Sequence, residues 1–279
     1  MMVIGRYGVR AAALLAAVCL AGASPAAAVS DGGRGPGLYP GVHSRRGGSS
    51  LDQHTIVIDP GHGGLDVGAK GKFGSVEKDV DLAISLKLKA LIEQSQSYRV
   101  VLTRDKDLDV SLENRAAIAN NNDALVFLSI HVNGSFRKKA RGSETFFMSL
   151  NATDEESRKL AYQENREAAL DKSIAGDEKD DIKMILWDMA QSAYIKQSSQ
   201  LAELIQAQLN SLLGTENRGI KQADFVVLRG VACPAVLVEA AFISNPEEEQ
   251  KLVDESFQNN VAQAVYTGLM RFLSVYGKN

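Results

Sequence analysis

Apolar residues along this chain form short runs that alternate with longer amphipathic stretches. Six runs are typical of β-strands, and several are continuous enough for strands buried on both faces: TIVID, RVVLTR, ALVFLSIHV, SETFFM, FVVL and AVLVEAAF. The first begins at Thr55 and the last ends at Phe242. Strands that alternate with helices predict an α/β fold with a mostly parallel sheet and helices on both faces.

The stretches between these runs have helical periodicity and recognisable end signals. The helix after the first strand carries an apolar stripe, and Ser75 is its predicted N-cap. Ser111 is predicted to cap the next helix. A leucine-rich helix is predicted to begin near Gln197. Asn245, with Pro246 in the first helical position, is predicted to cap a later helix, and a final amphipathic helix ends the chain.

A stretch from about residue 150 to 196 is far longer than an ordinary connection between two elements. Its composition predicts a helical insertion, because the segments DEESRKLAYQENREAALDK and DDIKMILWDMAQSAYI both have helical spacing. In the first segment Glu164 falls on the stripe of Leu160 and Ala168. It is either a solvated residue at the margin of that helix or a carboxylate that needs a partner. The second segment has an apolar face formed by Ile182, Ile185, Leu186 and Met189.

The N-terminus has the three parts of a secretory signal peptide. Arg6 and Arg10 precede an apolar stretch, and small residues lead to a predicted cleavage point near Ala28. The apolar stretch is short for a membrane span, which needs about 20 residues. Residues 29–53 are predicted to be a flexible linker and residues 54–279 the folded domain. We therefore expect an exported protein whose mature form has no transmembrane segment.

Charge and cysteine content narrow the function further. The net charge is −3 at pH 7, and loss of Arg6 and Arg10 with the signal peptide makes the mature chain more acidic. A nucleic-acid binder would normally be strongly basic, so that class is set aside.

Cys233 would be the only cysteine left, which excludes an intrachain disulfide and leaves packing or a metal to provide stability. Its apolar surroundings predict a small buried side chain.

Three of the predicted strands deliver side chains that can bind a metal or activate water. The first strand is followed by His62, the third contains His131 near its end, and the last contains Glu239. Because parallel strands end at the same edge of a sheet, these residues are expected to converge there. Glu77, at the start of the helix after the first strand, lies on a connection at the same edge. One histidine at a strand end is more often structural, but the joint pattern favours a metal site.

Two imidazoles and one carboxylate are a standard ligand set for catalytic zinc, with the fourth position left to water. Zinc is favoured over calcium or magnesium because imidazole nitrogen suits zinc, whereas the harder cations prefer oxygen ligands. The remaining glutamate is then free to act as a general base. The glycines of the GHGG segment allow close approach of the main chain to the site.

Several blocks in combination resemble the zinc-dependent N-acetylmuramoyl-L-alanine amidases of the type 3 family: IDPGHGG, SVEKDVDLAISLKL, LTRDKD, SLENRAAIANNNDALVFLSIHVN and VLVEAAFISNPEEEQKL. The similarity extends from about Thr55 to Tyr276 and points to the Gram-negative cell-division amidases. It implies a mixed, mainly parallel sheet flanked by helices. It also implies periplasmic hydrolysis of the amide between N-acetylmuramic acid and L-alanine in peptidoglycan, for wall remodelling and daughter-cell separation.

The resemblance also implies roles for individual residues. By motif, His62, Glu77 and His131 would be the ligands of Zn²⁺, and Glu239 would be the catalytic glutamate. Similar amidases carry a regulatory helix that blocks the site until a protein activator displaces it, and QENREA resembles its blocking segment. This implies an autoinhibited protein with Glu164 at or near the metal, or Glu167 as the second choice. The apolar face of the second insertion segment would bind the activator.

Other interpretations of the same residues stay open. One is a zinc peptidase that cuts a different wall amide, and the other is a wall-binding protein without activity. The presence of Glu239 argues against a wall-binding protein without activity, because binding alone needs no general base. Many relatives carry an extra N-terminal targeting or wall-binding domain, which the short tail here does not resemble. Arg104 and Arg115 are expected to form structural ion pairs with carboxylates.

Overall fold

The computed structural model describes residues 53–276, apart from 136, 138 and 167–180, and gives the main chain alone for 181–193. The predicted signal peptide and nearly all of the predicted linker lie outside the described residues. No helix in this described part is both long and apolar enough to cross a membrane.

One sheet forms the centre of the described domain. Its strands are β1 (His54–Pro60), β2 (Tyr98–Leu102), β3 (Val126–Asn133), β4 (Ser143–Met148), β5 (Asn217–Ala223) and β6 (Ala235–Phe242). Their spatial order is β2-β1-β3-β6-β4-β5. Strands β2, β1, β3 and β6 are parallel to one another, whereas β4 runs antiparallel to β6 and parallel to β5. The sheet is therefore mixed and mainly parallel, as predicted.

Helices cover both faces of this sheet, which confirms the predicted fold class. Within the described residues they are α1 (Glu77–Gln94), α2 (Leu112–Asn121), α3 (Glu155–Glu164), α4 (Asp181–Leu213), α5 (Val226–Arg229), α6 (Pro246–Leu252) and α7 (Glu255–Tyr276). Side chains of α1, α4 and α7 share one hydrophobic core, and those of α2, α3 and α5 share the other. Of the predicted insertion at about 150–196, the described residues include α3 and the first part of α4.

The two cores follow from the alternation of side chains along buried strands. On β1, Ile56 and Ile58 face the core of α1, α4 and α7, whereas Val57 faces the core of α2, α3 and α5. Cys233 is buried in the second core, as predicted, and burial raises the pKa of its thiol to about 12. The thiol is therefore protonated at neutral pH and unreactive.

One predicted strand is wrong. The last three residues of the run FVVL lie in the short helix α5, and Phe225 is its N-cap. The fifth strand is instead NRGIKQA, at the edge of the sheet beside β4. An apolar run of four residues does not distinguish a strand from a buried helical turn. An edge strand has one open side, so its sequence can be polar and its strand pattern is weak.

Helix ends agree in part with their sequence signals. Ser111 accepts a hydrogen bond from Asn114 N, and Asn245 accepts hydrogen bonds at the start of α6, so both predicted caps are confirmed. Ser75 is not a cap, since α1 begins at Glu77 and Val76 precedes it without a capping side chain. The helix predicted near Gln197 is the second part of α4, which starts 16 residues earlier, at Asp181.

Candidate metal centre

The chain leaves β1 in a turn that places one imidazole against another. His62 has a φ of 56°, a left-handed conformation that residues other than glycine seldom adopt. Gly61 N donates to Ile130 O at 3.0 Å, which ties the turn to β3. A Cβ atom at Gly61 would lie 2.4 Å from the His131 ring, so only glycine allows this approach. The two histidine rings lie edge to face with centroids 5.0 Å apart.

Two buried arginines hold the carbonyl groups of this turn. Arg115 donates to the His62 carbonyl at 2.7 Å and forms the expected ion pair, with Asp59, at 2.9 Å. Arg104 donates to the Gly61 carbonyl at 2.6 Å and to further main-chain carbonyls, where we expected a carboxylate. The sharp turn points several carbonyls inward, and a guanidinium has enough donors to satisfy them.

Four side chains converge where β1 and β3 end: His62, Glu77, His131 and Glu164. Glu77 Oε1 lies 3.1 Å from both His62 Nε2 and His131 Nδ1. Glu164 Oε2 lies 3.3 Å from the same two nitrogens. All four ligand atoms lie within 4.8 Å of one another. The cluster therefore offers two nitrogen and two oxygen ligands around one point.

The spacing of these atoms fits a tetrahedral metal ion. Zinc bonds of 2.0–2.2 Å place neighbouring tetrahedral ligands about 3.3–3.6 Å apart, and the four N···O distances here are 3.1 and 3.3 Å. His62 Nε2 is buried and makes no hydrogen bond within the described structure. Because a buried polar atom needs a partner, a cation at this point would satisfy it.

Contacts outside the cluster orient its ligands. Asp66 Oδ2 contacts His62 Nδ1, which turns Nε2 toward the cluster. Glu77 Oε2 accepts a hydrogen bond from Ala69 N at 2.7 Å, leaving Oε1 to face the imidazoles. A Cβ atom at Gly68 would lie 2.6 Å from Glu77 Oε2, so this glycine lets the loop close over the carboxylate. Asp66 was not among the predicted site residues, although a carboxylate four residues after a candidate metal-binding histidine could have indicated this contact.

The electrostatics of the cluster favour a bound cation. Burial alone would lower the pKa of His62, but the charges of Glu77 and Glu164 outweigh it and raise that pKa well above its usual value. Burial would raise the pKa of Glu77, but the positive charge and hydrogen bonds of the two histidines hold it far below its usual range. A metal ion would compete with protons for these same positions.

Glu239 lies beside His131, in register with it on β6. Its side chain is fully buried, and neither carboxylate oxygen has a hydrogen-bond partner in the described structure. Burial, followed by the like charges of Glu77 and Glu164, raises the pKa of Glu239 well above its usual value. A buried carboxyl group without another partner, next to the cluster, lies where it can exchange a proton with a molecule bound there.

Helix α3 carries Glu164 into the cluster from the opposite side. Leu160 and Ala161 pack into the core of this sheet face. Asn165, at the C-terminal end of α3, donates to the carbonyl of residue 224 at 2.7 Å and accepts from the N–H of residue 226 at 2.8 Å. These contacts hold the last turn in place, and the Glu164 side chain is only 14% exposed.

The structure thus brings together all five predicted site residues: His62, Glu77, His131, Glu164 and Glu239. Glu167, the second choice for the blocking carboxylate, lies outside the described residues. So do the side chains of the apolar face predicted to bind an activator. A cavity of about 810 Å³ opens beside the cluster, and His62, Leu65, Glu77 and Glu164 are among its lining residues. The cluster therefore faces a surface cavity, and Glu164 lies between the two.

A mixed α/β sheet that brings two imidazoles and two carboxylates together beyond its strand ends is an arrangement typical of metal-dependent hydrolases. Residues 56–271 match the family model described as N-acetylmuramoyl-L-alanine amidase. The chain belongs to this family, as its sequence motifs predicted, and its reaction is the hydrolysis of the amide between N-acetylmuramic acid and L-alanine in peptidoglycan.

Individual relatives agree with this family. The chain is 34% identical over 259 residues to N-acetylmuramoyl-L-alanine amidase AmiA of Salmonella typhimurium, covering 92% of this chain and 88% of that protein. An amidase structure from Clostridium difficile 630 superposes with a TM-score of 0.62 at 30% identity, over 81% of this chain and 100% of that one. The structure of CwlD amidase from Clostridioides difficile, solved in complex with the GerS lipoprotein, superposes with a TM-score of 0.60 at 31% identity. The match covers 80% of this chain and 99% of that one.

Proposed function

We propose that this chain hydrolyses its peptidoglycan amide with one zinc ion held by His62, Glu77 and His131, and that Glu164 blocks the ion in the resting state. Glu239 serves as the general base. The observation that carries the proposal is the position of Glu164 Oε2, 3.3 Å from both imidazole nitrogens, opposite Glu77. A fourth protein ligand at a catalytic zinc occupies the place that water or substrate needs.

When bound, zinc would polarise the scissile carbonyl and make a water molecule acidic enough to attack at neutral pH. Glu239 then takes a proton from the water and delivers it to the nitrogen of L-alanine as the amide bond breaks. The dry surroundings of Glu239 strengthen its hold on this proton between the two steps. Asp66 keeps the His62 ring in place, and the Arg104 and Arg115 hydrogen bonds keep the turn rigid.

The resting state is closed because α3 is attached at both ends. Its C-terminal end is held through Asn165, and its first turn forms ion pairs with β5 through Asp154 and Glu156. Opening requires these contacts to break together, so a protein partner that binds elsewhere on the insertion can act as the activator. CwlD amidase, solved with the GerS lipoprotein, offers a precedent for a protein partner of this fold.

We further propose residues 1–28 as a signal peptide, residues 29–53 as a linker and residues 54–279 as the catalytic domain, with a regulatory insertion at about 150–196. The family match from 56 to 271 and the first strand at His54 support the domain boundary. Peptidoglycan lies outside the cytoplasm, so this arrangement places the mature enzyme in the periplasm. Its similarity to AmiA supports a role in wall remodelling and daughter-cell separation.

The bond that is cut tests this function against the alternative of a zinc peptidase. Purified peptidoglycan is digested with the zinc-loaded mature protein, and the soluble products are identified by mass spectrometry. We expect intact stem peptides with a free L-alanine amine, and glycan whose lactyl groups end in carboxylate. Products cut inside the peptide would identify a peptidase. If a variant without the blocking carboxylate of Glu164 gave no products, a wall-binding protein without activity would be the remaining interpretation.

Replacing the blocking carboxylate should release the enzyme. We expect Glu164→Ala to raise basal hydrolysis on the order of tenfold, which corresponds to the loss of about 1.4 kcal/mol of closed-state stabilisation. Release of dye from labelled peptidoglycan, without any partner protein, measures the rate. Glu155→Ala is the matched control, because Glu155 lies on α3 but is exposed and pairs with Arg158. Equal rates for both variants and the intact chain would contradict autoinhibition by Glu164.

A further inference from the structure

A buried charged network lies next to the candidate metal centre. Glu144 on β4 is only 3% exposed. Its Oε2 accepts a hydrogen bond from Arg218 Nε at 3.0 Å and lies 2.9 Å from Lys221 Nζ. Its Oε1 accepts from Asn133 Nδ2 at 2.8 Å. One carboxylate on the sheet is therefore surrounded by two cations from the edge strand β5.

Asp154, the N-cap of α3, and Glu156 in its first turn supply the remaining negative charge. Asp154 Oδ2 lies 3.1 Å from Lys221 Nζ, and Glu156 Oε2 accepts from Arg218 Nη2 at 2.9 Å. Arg137 also pairs with Glu156. The closed state thus balances three carboxylates against three cations.

Displacement of α3 would break this balance. Asp154 and Glu156 leave with the helix, whereas Glu144 alone stays with Arg218 and Lys221. The side chains of these two cations are only 18% and 10% exposed in the closed state. Without Asp154 and Glu156, two cations face the single carboxylate of Glu144, and this surplus of positive charge favours an incoming anion.

The distance of these cations from Glu239 limits which anionic group of a substrate can reach them. Glu144 is the direct cross-strand partner of Glu239, and both are in line with His131. Cross-strand neighbours lie about 5 Å apart, and Arg218 lies 3.0 Å beyond Glu144. The guanidinium is therefore roughly 8–10 Å from the general base, a distance that two or three extended residues span at about 3.4 Å each.

A cavity of about 590 Å³ borders this network between the sheet and α3. Asn133, Arg218 and Phe242 line it on the sheet side, and Glu156 lines it on the α3 side. The Arg218 guanidinium lies over the Phe242 ring, 5.0 Å from its centroid. Stacking and the Glu144 contact fix the planar group in one orientation, which suits recognition of a carboxylate.

We propose that Arg218 and Lys221 bind a free carboxylate of the stem peptide, and that Asp154 and Glu156 of α3 occupy this subsite in the closed state. The inference rests on the proposed hydrolysis at L-alanine. The residue after L-alanine in the stem peptide, a D-glutamyl residue, carries a free α-carboxylate at the required distance. Helix α3 thus covers both the metal ligands and the substrate-binding cations, and an activator uncovers both at once.

Two soluble muramyl tripeptides test this subsite. They are identical except that the second residue carries either a free carboxylate or a carboxamide, and kcat/KM is measured for both in the Glu164→Ala background. We expect a preference for the carboxylate on the order of tenfold, falling to about one with Arg218→Gln or Lys221→Gln. Both peptides meet the same fraction of open enzyme, so their ratio does not depend on how far α3 is released.

Controls separate the subsite from general effects. Arg141→Gln removes an exposed arginine that pairs with Glu216 and should keep the full preference. Arg218→Lys should keep part of it, because the charge stays, and thermal unfolding identifies any variant that fails to fold. Calorimetric titration of both peptides into the Glu239→Gln, Glu164→Ala double variant should give the same preference in Kd.

An unchanged ratio in a folded Arg218→Gln variant would overturn the inference while leaving the amidase function intact. If neither the peptides nor purified peptidoglycan is cleaved by the Glu164→Ala variant, the proposed function fails. The calorimetric preference then still decides whether the subsite binds carboxylate.

Discussion

Glu239→Gln is expected to lower turnover by about 10²–10⁴-fold, the usual contribution of a positioned general base. Glutamine keeps the shape of the side chain but cannot take a proton from water. The Glu239 carboxyl has no hydrogen-bond partner in the described structure, so the exchange removes no contact that supports the fold. The effect is measured as the rate of peptidoglycan hydrolysis. Metal analysis by mass spectrometry and the melting temperature show whether zinc and the fold are retained.

Glu203→Gln is the control for this prediction, because Glu203 is an exposed glutamate on α4. Its activity and zinc content should match those of the intact chain. A contrary pattern, in which Glu239→Gln loses zinc while Glu77→Gln keeps it, would show that the two glutamates have exchanged roles.

Removal of the metal is expected to abolish hydrolysis, and added zinc should restore it. Without the cation, the carboxyl groups of Glu77 and Glu164 stay close together beside two imidazoles, and only bound protons reduce their repulsion. The metal-free protein should also melt at a lower temperature, since an ion that binds only the folded state stabilises it. Dialysis against a chelator, metal analysis and unfolding scans measure all three effects.

Two histidine variants make the test specific. His131→Ala removes one proposed ligand and should lose both zinc and activity. His54→Ala removes an exposed histidine at the start of β1 and should retain one zinc per chain. Full activity in a preparation verified to be free of metal would contradict a metal mechanism altogether.

Much of the site could be predicted from the sequence because its residues lie on strongly patterned elements. The apolar runs of β1, β3 and β6 identify central strands, and such strands carry His62, His131 and Glu239 to one edge of the sheet. Glycines around the first histidine indicate close packing, and the structure shows a ring against Gly61. Local patterns suffice here because each residue's place follows from the element that carries it.

Only the tertiary structure decides features that depend on contacts between distant segments. The edge strand β5 is polar, so its sequence could not identify it, yet it supplies Arg218 and Lys221. The cross-strand pair of Glu144 and Glu239 depends on the antiparallel direction of β4, which no local pattern encodes.

The position of α3 is the clearest example of this division. Its sequence predicts an amphipathic helix with Glu164 near the apolar stripe, and the family resemblance suggested a blocking role. Contact with both imidazoles depends on where the helix ends are attached, at Asn165 and at the ion pairs of its first turn. Side-chain periodicity determines which face of a helix is buried, but only contacts with the rest of the fold determine what that face meets.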